Sequence, residues 1–160
     1  MKTIIIVSSS HGTTEKAAQL LKGQLHGDVE IVNLKKCPNP DLTGYNSVIL
    51  GSSIYVGSVK SRVKQFLKQN QTVLMSKQLG LFLCCMYEGD QAKKQFETAF
   101  PPELRDHAIS KGLFGGEFIL SNMNFLERQI VKKVAGVTSD VSSINLDEIK
   151  RFAEMFNHQQ

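Results

Sequence analysis

Short runs of uninterrupted apolar residues alternate along this chain with stretches that carry apolar residues at helical spacing. Thr3–Val7 is a β-branched run ending at a serine cluster, Ser47–Leu50 leads into Gly51, and Leu79–Met86 is apolar nearly throughout. A strand with one wet face alternates polar and apolar residues, so a strand apolar on both sides must be covered on both sides. Val29–Leu34 does alternate and reads as a half-buried strand; Lys111–Leu120, with three glycines, reads as the fifth. Between the strands lie helical patterns over Glu15–Leu25, Gln91–Phe100, Asn122–Ala135 and Leu146–Phe156. A further apolar stripe, Val59, Val63, Phe66 and Leu67, stands opposite Lys60, Lys64 and Lys68. Asp147 and Glu148 suit the first turn of the last helix, where the helix dipole favours negative charge. Strands alternating with helices predict an α/β fold: a doubly wound, five-stranded parallel sheet of strand order 2-1-3-4-5 between two helical layers.

At 160 residues the chain fits a single domain over 1–160, and 41% hydrophobic with 21% charged residues supports a packed core. The apolar runs have the length of strands and fall short of a bilayer span. Lys2 precedes an apolar run that breaks at Ser8 with no cleavage pattern behind it, so no signal peptide is expected. Cys37, Cys84 and Cys85 form neither a disulfide framework nor a Cys-x-x-Cys pair, and the histidines are scattered; reduced thiols in the cytoplasm are the simplest reading, and no metal site is expected. A net charge of +4 permits an acidic partner or a membrane surface, and no nucleic acid is expected. Between Ser58 and Lys77 the cations Lys60, Arg62, Lys64, Lys68 and Lys77 have no acid among them.

In open α/β sheets ligands sit outside the carboxyl ends of the strands, where the strand order reverses. The loops after Val7, Gly51 and Met86 are therefore the places for chemistry. Ser8–Glu15 packs small hydroxyl residues and one glycine between a strand and a helix, so amides, hydroxyls and the helix dipole can converge on an anion. It is neither a Walker A loop nor a Gly-x-Gly-x-x-Gly fingerprint. The alternative is a turn in which Thr13 or Thr14 caps the helix. Phospho-receiver domains share the strand order but need an Asp after strand three and an acidic pair after strand one; Gly51-Ser52 and Ser8-Ser9 stand there instead. Cys84 and Cys85, adjacent on a strand, point to opposite faces, and packing explains them better than redox chemistry.

Ser9-Ser10-His11-Gly12-Thr13-Thr14-Glu15 resembles the phosphate loop of flavodoxins, with His11 in place of the usual threonine before the glycine. Tyr45–Gly57 is similar to the flavodoxin pattern of a Tyr-Asp pair, a buried strand, Gly-x-Ser and an aromatic. The resemblance extends over the chain and implies non-covalent FMN, with Ser9, Ser10, His11, Gly12, Thr13 and Thr14 at the phosphate. It places Ser52, Ser53, Ile54 and Gly57 at the ribityl and ring atoms and Tyr55 stacked on the flavin. The same resemblance implies that Cys85, Met86, Tyr87, Glu88 and Gly89 form the second flavin loop, where Tyr87 would cover the other ring face. Glu88 and Asp90 would make the pyrimidine edge negative and lower the potential, or instead cap the following helix. His11 pairs with the phosphate or faces solvent.

The resemblance is strongest to the flavodoxin-like branch that contains menaquinone-dependent protoporphyrinogen dehydrogenases. It rests on the Gly-Ser-Ser-Ile-Tyr-x-Gly loop, the helix Asn124–Ala135 after a Gly-rich strand, and Gly136–Asp140 followed by Ile149–Ala153. Those dehydrogenases carry a more basic and aromatic segment after strand five than Gly115–Asn122. The implied function is an FMN oxidoreductase passing electrons between a small substrate and a quinone-type or protein acceptor; the alternative is a non-catalytic electron carrier, and a chain that has lost its flavin and serves interactions is a third. No side chain stands out as a general acid or base. Lys60, Lys64 and Lys68 form either a solvated helix face or a docking surface for an acidic protein or an anionic membrane carrying quinone. Phe125, Leu126, Ile130, Val131 and Val134 could extend that surface with Arg128, Lys132 and Lys133, although core packing explains the stripe more simply.

Overall fold

The computed structural model describes residues Met1 to Gln159 except Ser10, Val56, Gly57 and Val137, and for Tyr55, Ser58 and Ala135 it describes the backbone alone. Five parallel strands, β1 (Lys2–Val7), β2 (Asp28–Asn33), β3 (Ser47–Tyr55), β5 (Gln78–Cys84) and β6 (Ser110–Leu113), form one sheet in the order β2-β1-β3-β5-β6. Counting the parallel strands alone, this is the expected 2-1-3-4-5 order. A two-residue strand, β4 (Ser58–Val59), folds back antiparallel on β3.

The double cover follows from the apolar runs. Ile4 and Ile6 face a core shared with α2 (Ser61–Met75), α3 (Gly89–Ala99) and α4 (Pro102–His107), while Ile5 and Val7 face one shared with α1 (Thr13–Lys22) and α6 (Leu146–His158). Both faces are dry, so every residue from Ile4 to Val7 is buried. The second core holds a run of rings: Phe82 stacks on Phe114 at 4.5 Å between centroids, and Phe152 meets both edge-on. Gly51 makes room for them, because a Cβ there would lie 2.0 Å from the Phe82 ring.

Several expected boundaries shift for local reasons. The strand at Ser47 runs on to Tyr55, and Val59 belongs to β4, so the predicted helical stripe begins only at Val63; Lys60 precedes α2 at its N-cap. The fourth strand ends at Cys84 and leaves Cys85 and Met86 in the loop. α3 ends at Ala99, ahead of Pro101 and Pro102, and Pro102 then opens the short helix α4, consistent with proline's preference for the first turn. The expected strand Lys111–Leu120 breaks after Leu113: Gly115 has φ +71° and sits so close to Ser143 that a Cβ would meet its carbonyl oxygen at 1.8 Å. The chain then makes an excursion of β7 (Glu117–Phe118), a 3-10 turn (Leu120–Asn122), α5 (Phe125–Ala135) and β8 (Val141–Ser142), with β7 and β8 paired antiparallel. The stripe expected to pack in the core does not: Phe125, Leu126 and Val134 are exposed, Ile130 is half-buried and Val131 is buried.

Candidate functional site

The parallel register sets three loops side by side. Val7 pairs with Gly51 and Ser53 with Cys84, so the segments following β1, β3 and β5 leave the same end of the sheet on adjacent strands. Tyr45, by contrast, lies before β3 at the opposite end, where its hydroxyl donates to the Glu30 carboxylate.

In the first loop Gly12 is the N-cap of α1 at φ +91°, a left-handed conformation that favours glycine. Neither Thr13 nor Thr14 is the cap; both lie inside the helix, and among the described residues no side chain caps its first turn. The first amides of a helix have no partner within it and draw an anion. A Cβ at Gly12 would meet nothing within 4 Å, so the loop is open on that side. Ser8 Oγ and Thr14 Oγ1 are fully buried with no oxygen or nitrogen partner among the described residues, the Thr14 hydroxyl having only the weak thiol of Cys84 to face. Orphaned buried hydroxyls cost stability unless a ligand takes them.

Other contacts brace the loop. Ser9 Oγ accepts the Gly12 amide at 3.0 Å. The Asn33 amide at the end of β2 donates to Ser9 O and to Glu15 Oε2, each at 3.3 Å. His11 neither stands free nor points away: Nδ1 lies 3.2 Å from Asn122 O and Nε2 3.5 Å from the Glu127 carboxylate, tying the loop to the start of α5. The Thr13 hydroxyl bonds to Glu117, whose carboxylate also accepts from Lys16 Nζ and Ser142 Oγ, both at 2.7 Å. Burial opposes ionisation of Glu117, but these bonds together outweigh it and hold its carboxyl below the usual carboxylate range. Ser10 lies outside the described residues.

In the second loop Ser52 is buried, with a 3.5 Å contact from its hydroxyl to Ser53 O, while Ser53 and Ile54 are half-buried. Ile54 pairs with Val59 and Tyr55 with Ser58. The Tyr55 side chain and Gly57 lie outside the described residues. In the third loop Cys85 is buried with its thiol 3.8 Å from Tyr87 O, Met86 is half-buried, and Tyr87, Glu88 and Gly89 are exposed. Glu88 occupies the N-cap of α3 but makes no capping bond with its side chain, and Asp90 sits in the first turn. A Cβ at Gly116 would meet Met86 Sδ at 3.0 Å, so this glycine lets the excursion lie directly against the third loop. Burial pushes the Cys84 thiol up to about 12 and raises that of Cys85, which leaves neither as a ready thiolate.

Lys64 and Lys68 are exposed on α2, whereas Lys60 is half-buried at its entrance. Desolvation, reinforced by the charges of Arg62 and Lys35, holds the Lys60 ammonium below the ordinary lysine range, although Glu127 works the other way. The three lysines thus do not form one exposed stripe.

Asn33, Asn122, Glu127 and Gly116 were not singled out from the sequence. Asn33 had a faint signal, a polar residue closing an alternating strand beside the first loop; the others come from remote segments.

The profile of the family described as "Flavodoxin domain" matches residues 4–145. The protoporphyrinogen IX dehydrogenase (quinone) of Escherichia coli K12 is 30% identical over 79 residues, which cover 48% of this chain and 44% of that protein. The chain spans less than half the length of the curated relatives it matches. Oxidised flavodoxin 1 of Bacillus cereus superposes with a TM-score of 0.62 at 15% identity, covering 100% of this chain and 99% of that one. Flavodoxin 2 of the same organism gives 0.62 at 18% identity with 100% of both chains covered. With its sheet order, its three abutting loops and a profile match over most of its length, the chain belongs to the flavodoxin family, whose cofactor is FMN.

Proposed function

We propose that the chain holds FMN across the loops after β1, β3 and β5 and passes electrons between a small substrate and a quinone-type or protein acceptor. The observation that supports this most is the start of α1, which no described side chain caps, beside the buried hydroxyls of Ser8 and Thr14, which have no oxygen or nitrogen partner among the described residues. The donor set suits a phosphate monoester: neutral amides and hydroxyls, with an open face at Gly12.

When bound, FMN supplies the redox chemistry at its ring system. The chain's own residues bind and orient it. In this reading Ser9, Ser10, Gly12, Thr13 and Thr14 take the phosphate, and His11 holds their loop against α5. Ser52, Ser53, Ile54, Tyr55 and Gly57 line the ribityl and one ring face. Cys85, Met86, Tyr87, Glu88 and Gly89 close the other side, where the exposed Tyr87 ring is available to cover the flavin and keep water off it.

The quinone-type acceptor is drawn from the Escherichia coli relative. The first turn of α2 carries Arg62 and Lys64 and no acid, which opposes the helix dipole and suits an anionic partner at that end. Contact of that end, through Lys60, Lys64 and Lys68, with an anionic membrane or an acidic redox partner belongs to this reading. Among the described residues no helix is long and apolar enough to cross a membrane.

His11 of the first loop is engaged with Asn122 O and Glu127 rather than left to move a proton at a substrate; this favours, as second reading, a non-catalytic electron carrier. The visible spectrum of the purified protein, before and after FMN is added and the excess removed, tests the shared part. Retained flavin absorbance is expected; none under either condition would sink both readings. Reduction of quinone analogues by a chemical donor without a second protein separates the enzyme, which turns over, from the carrier, which needs its partner.

A further inference from the structure

Helix α5 stands on a narrow footing. Among its described apolar side chains Val131 is buried, against Leu120, Met123 and Phe118. Phe125 and Leu126, in the first turn, are 76% and 69% exposed. At about 3.6 residues per turn, Phe125, Leu126, Gln129, Lys132 and Lys133 share one outward face. The helix is held by its own ends: Asn124 and Glu127 form a reciprocal capping box, and Gly136 closes it in the left-handed conformation at φ +66°. A short, well-capped helix is thus presented with large apolar side chains and two lysines toward solvent. Its position is not remote, because His11 of the phosphate loop contacts both Asn122 and Glu127.

We propose that this face of α5 seats on an anionic lipid bilayer, with Phe125 and Leu126 entering the interfacial zone and Lys132 and Lys133 meeting lipid phosphates. The inference goes beyond the electron-transfer reading and rests on it only for the benefit of docking, since a quinone acceptor dissolves in the bilayer. Lipid fits better than protein on area: two side chains offer at most a few hundred Å², roughly half or less of the ~800 Å² per partner of a stable protein interface. A bilayer needs no shape complementarity, only apolar insertion with cations beside it. The α2 face lacks the apolar part, because its exposed Val73 and Met75 lie at the end far from Lys60 and Lys64.

The test is co-sedimentation of the FMN-treated protein with phosphatidylcholine vesicles prepared with and without phosphatidylglycerol. Binding is expected to the phosphatidylglycerol vesicles alone and is expected to weaken as salt rises. It should fall about tenfold or more in Lys132→Glu/Lys133→Glu, and be lost in Phe125→Ser/Leu126→Ser, with far-UV circular dichroism unchanged in both. Absence of binding to either vesicle, or undiminished binding by Phe125→Ser/Leu126→Ser, would overturn the proposal. So would a dimer in sedimentation velocity that dissociates in that variant, which assigns the face to a second copy. Vesicle binding by protein that retains no flavin keeps the docking surface and removes electron transfer; retained flavin without vesicle binding does the reverse.

Discussion

Thr14 puts a hydroxyl where neither water nor a strong protein partner reaches it. Replacing it with the near-isosteric valine separates a ligand contact from a structural one. The flavin-free protein should gain about 1 kcal/mol in Thr14→Val, because a desolvated hydroxyl disappears, while FMN affinity should drop about tenfold if that hydroxyl meets the phosphate. Urea melts and flavin titration read the two effects independently. Glu117 gives a different signature. Its carboxyl titrates below the ordinary value of 4.5, so the folded protein gives up this proton more readily than the unfolded chain. The stabilisation is complete above the unfolded value and is lost as pH falls through the folded one. Glu117→Gln should therefore cost about 1–2 kcal/mol near neutral pH, and the gap between the two melting temperatures should close in acid, below about pH 4.

At the scale of elements, the sheet was legible because burial on both faces writes itself as uninterrupted β-branched runs, and Ile4–Val7 is dry on both sides. Ends were harder to read. Gly51, followed by two serines, reads as the close of a strand, yet β3 continues to Tyr55 because the glycine answers to the Phe82 ring rather than to a turn. Gly115 and Gly116 look like part of a fifth strand, but their role is set by Ser143 and Met86, residues that sequence distance hides. The α5 stripe has the periodicity of a core helix, and periodicity cannot tell whether a partner stands opposite. The three site loops followed from strand order alone; the brace at Asn33 and the tie from His11 to Asn122 and Glu127 required the chain in space. The entrance of α2 yields a prediction at this scale. Arg62 is exposed in its first turn, against the dipole, so Arg62→Glu should stabilise the protein by about 0.3–1 kcal/mol in thermal melts at low salt.

For the whole molecule, the base of the excursion matters most. The Asn145 amide donates to Phe114 O at 2.9 Å and the Ser143 amide to Gly116 O at 2.8 Å, so the chain leaves and returns through one hydrogen-bonded neck. Among the described residues, what lies beyond the neck contributes one small cluster, Leu120, Met123 and Val131 with Phe118, separate from the two cores that flank the sheet. Closure entropy grows only slowly with the length of a loop. Replacing residues 117–142 with a short Gly-Ser turn should accordingly leave a cooperative thermal transition and near-native far-UV dichroism, while abolishing vesicle binding; loss of the transition would show that the excursion is part of the folding unit. The neck does not seal the excursion off: His11 with Asn122 and Glu127, and Lys16 with Glu117, carry its fold to the loop after β1, so a change confined to residues 117–142 reaches a part of the molecule that it does not adjoin in sequence.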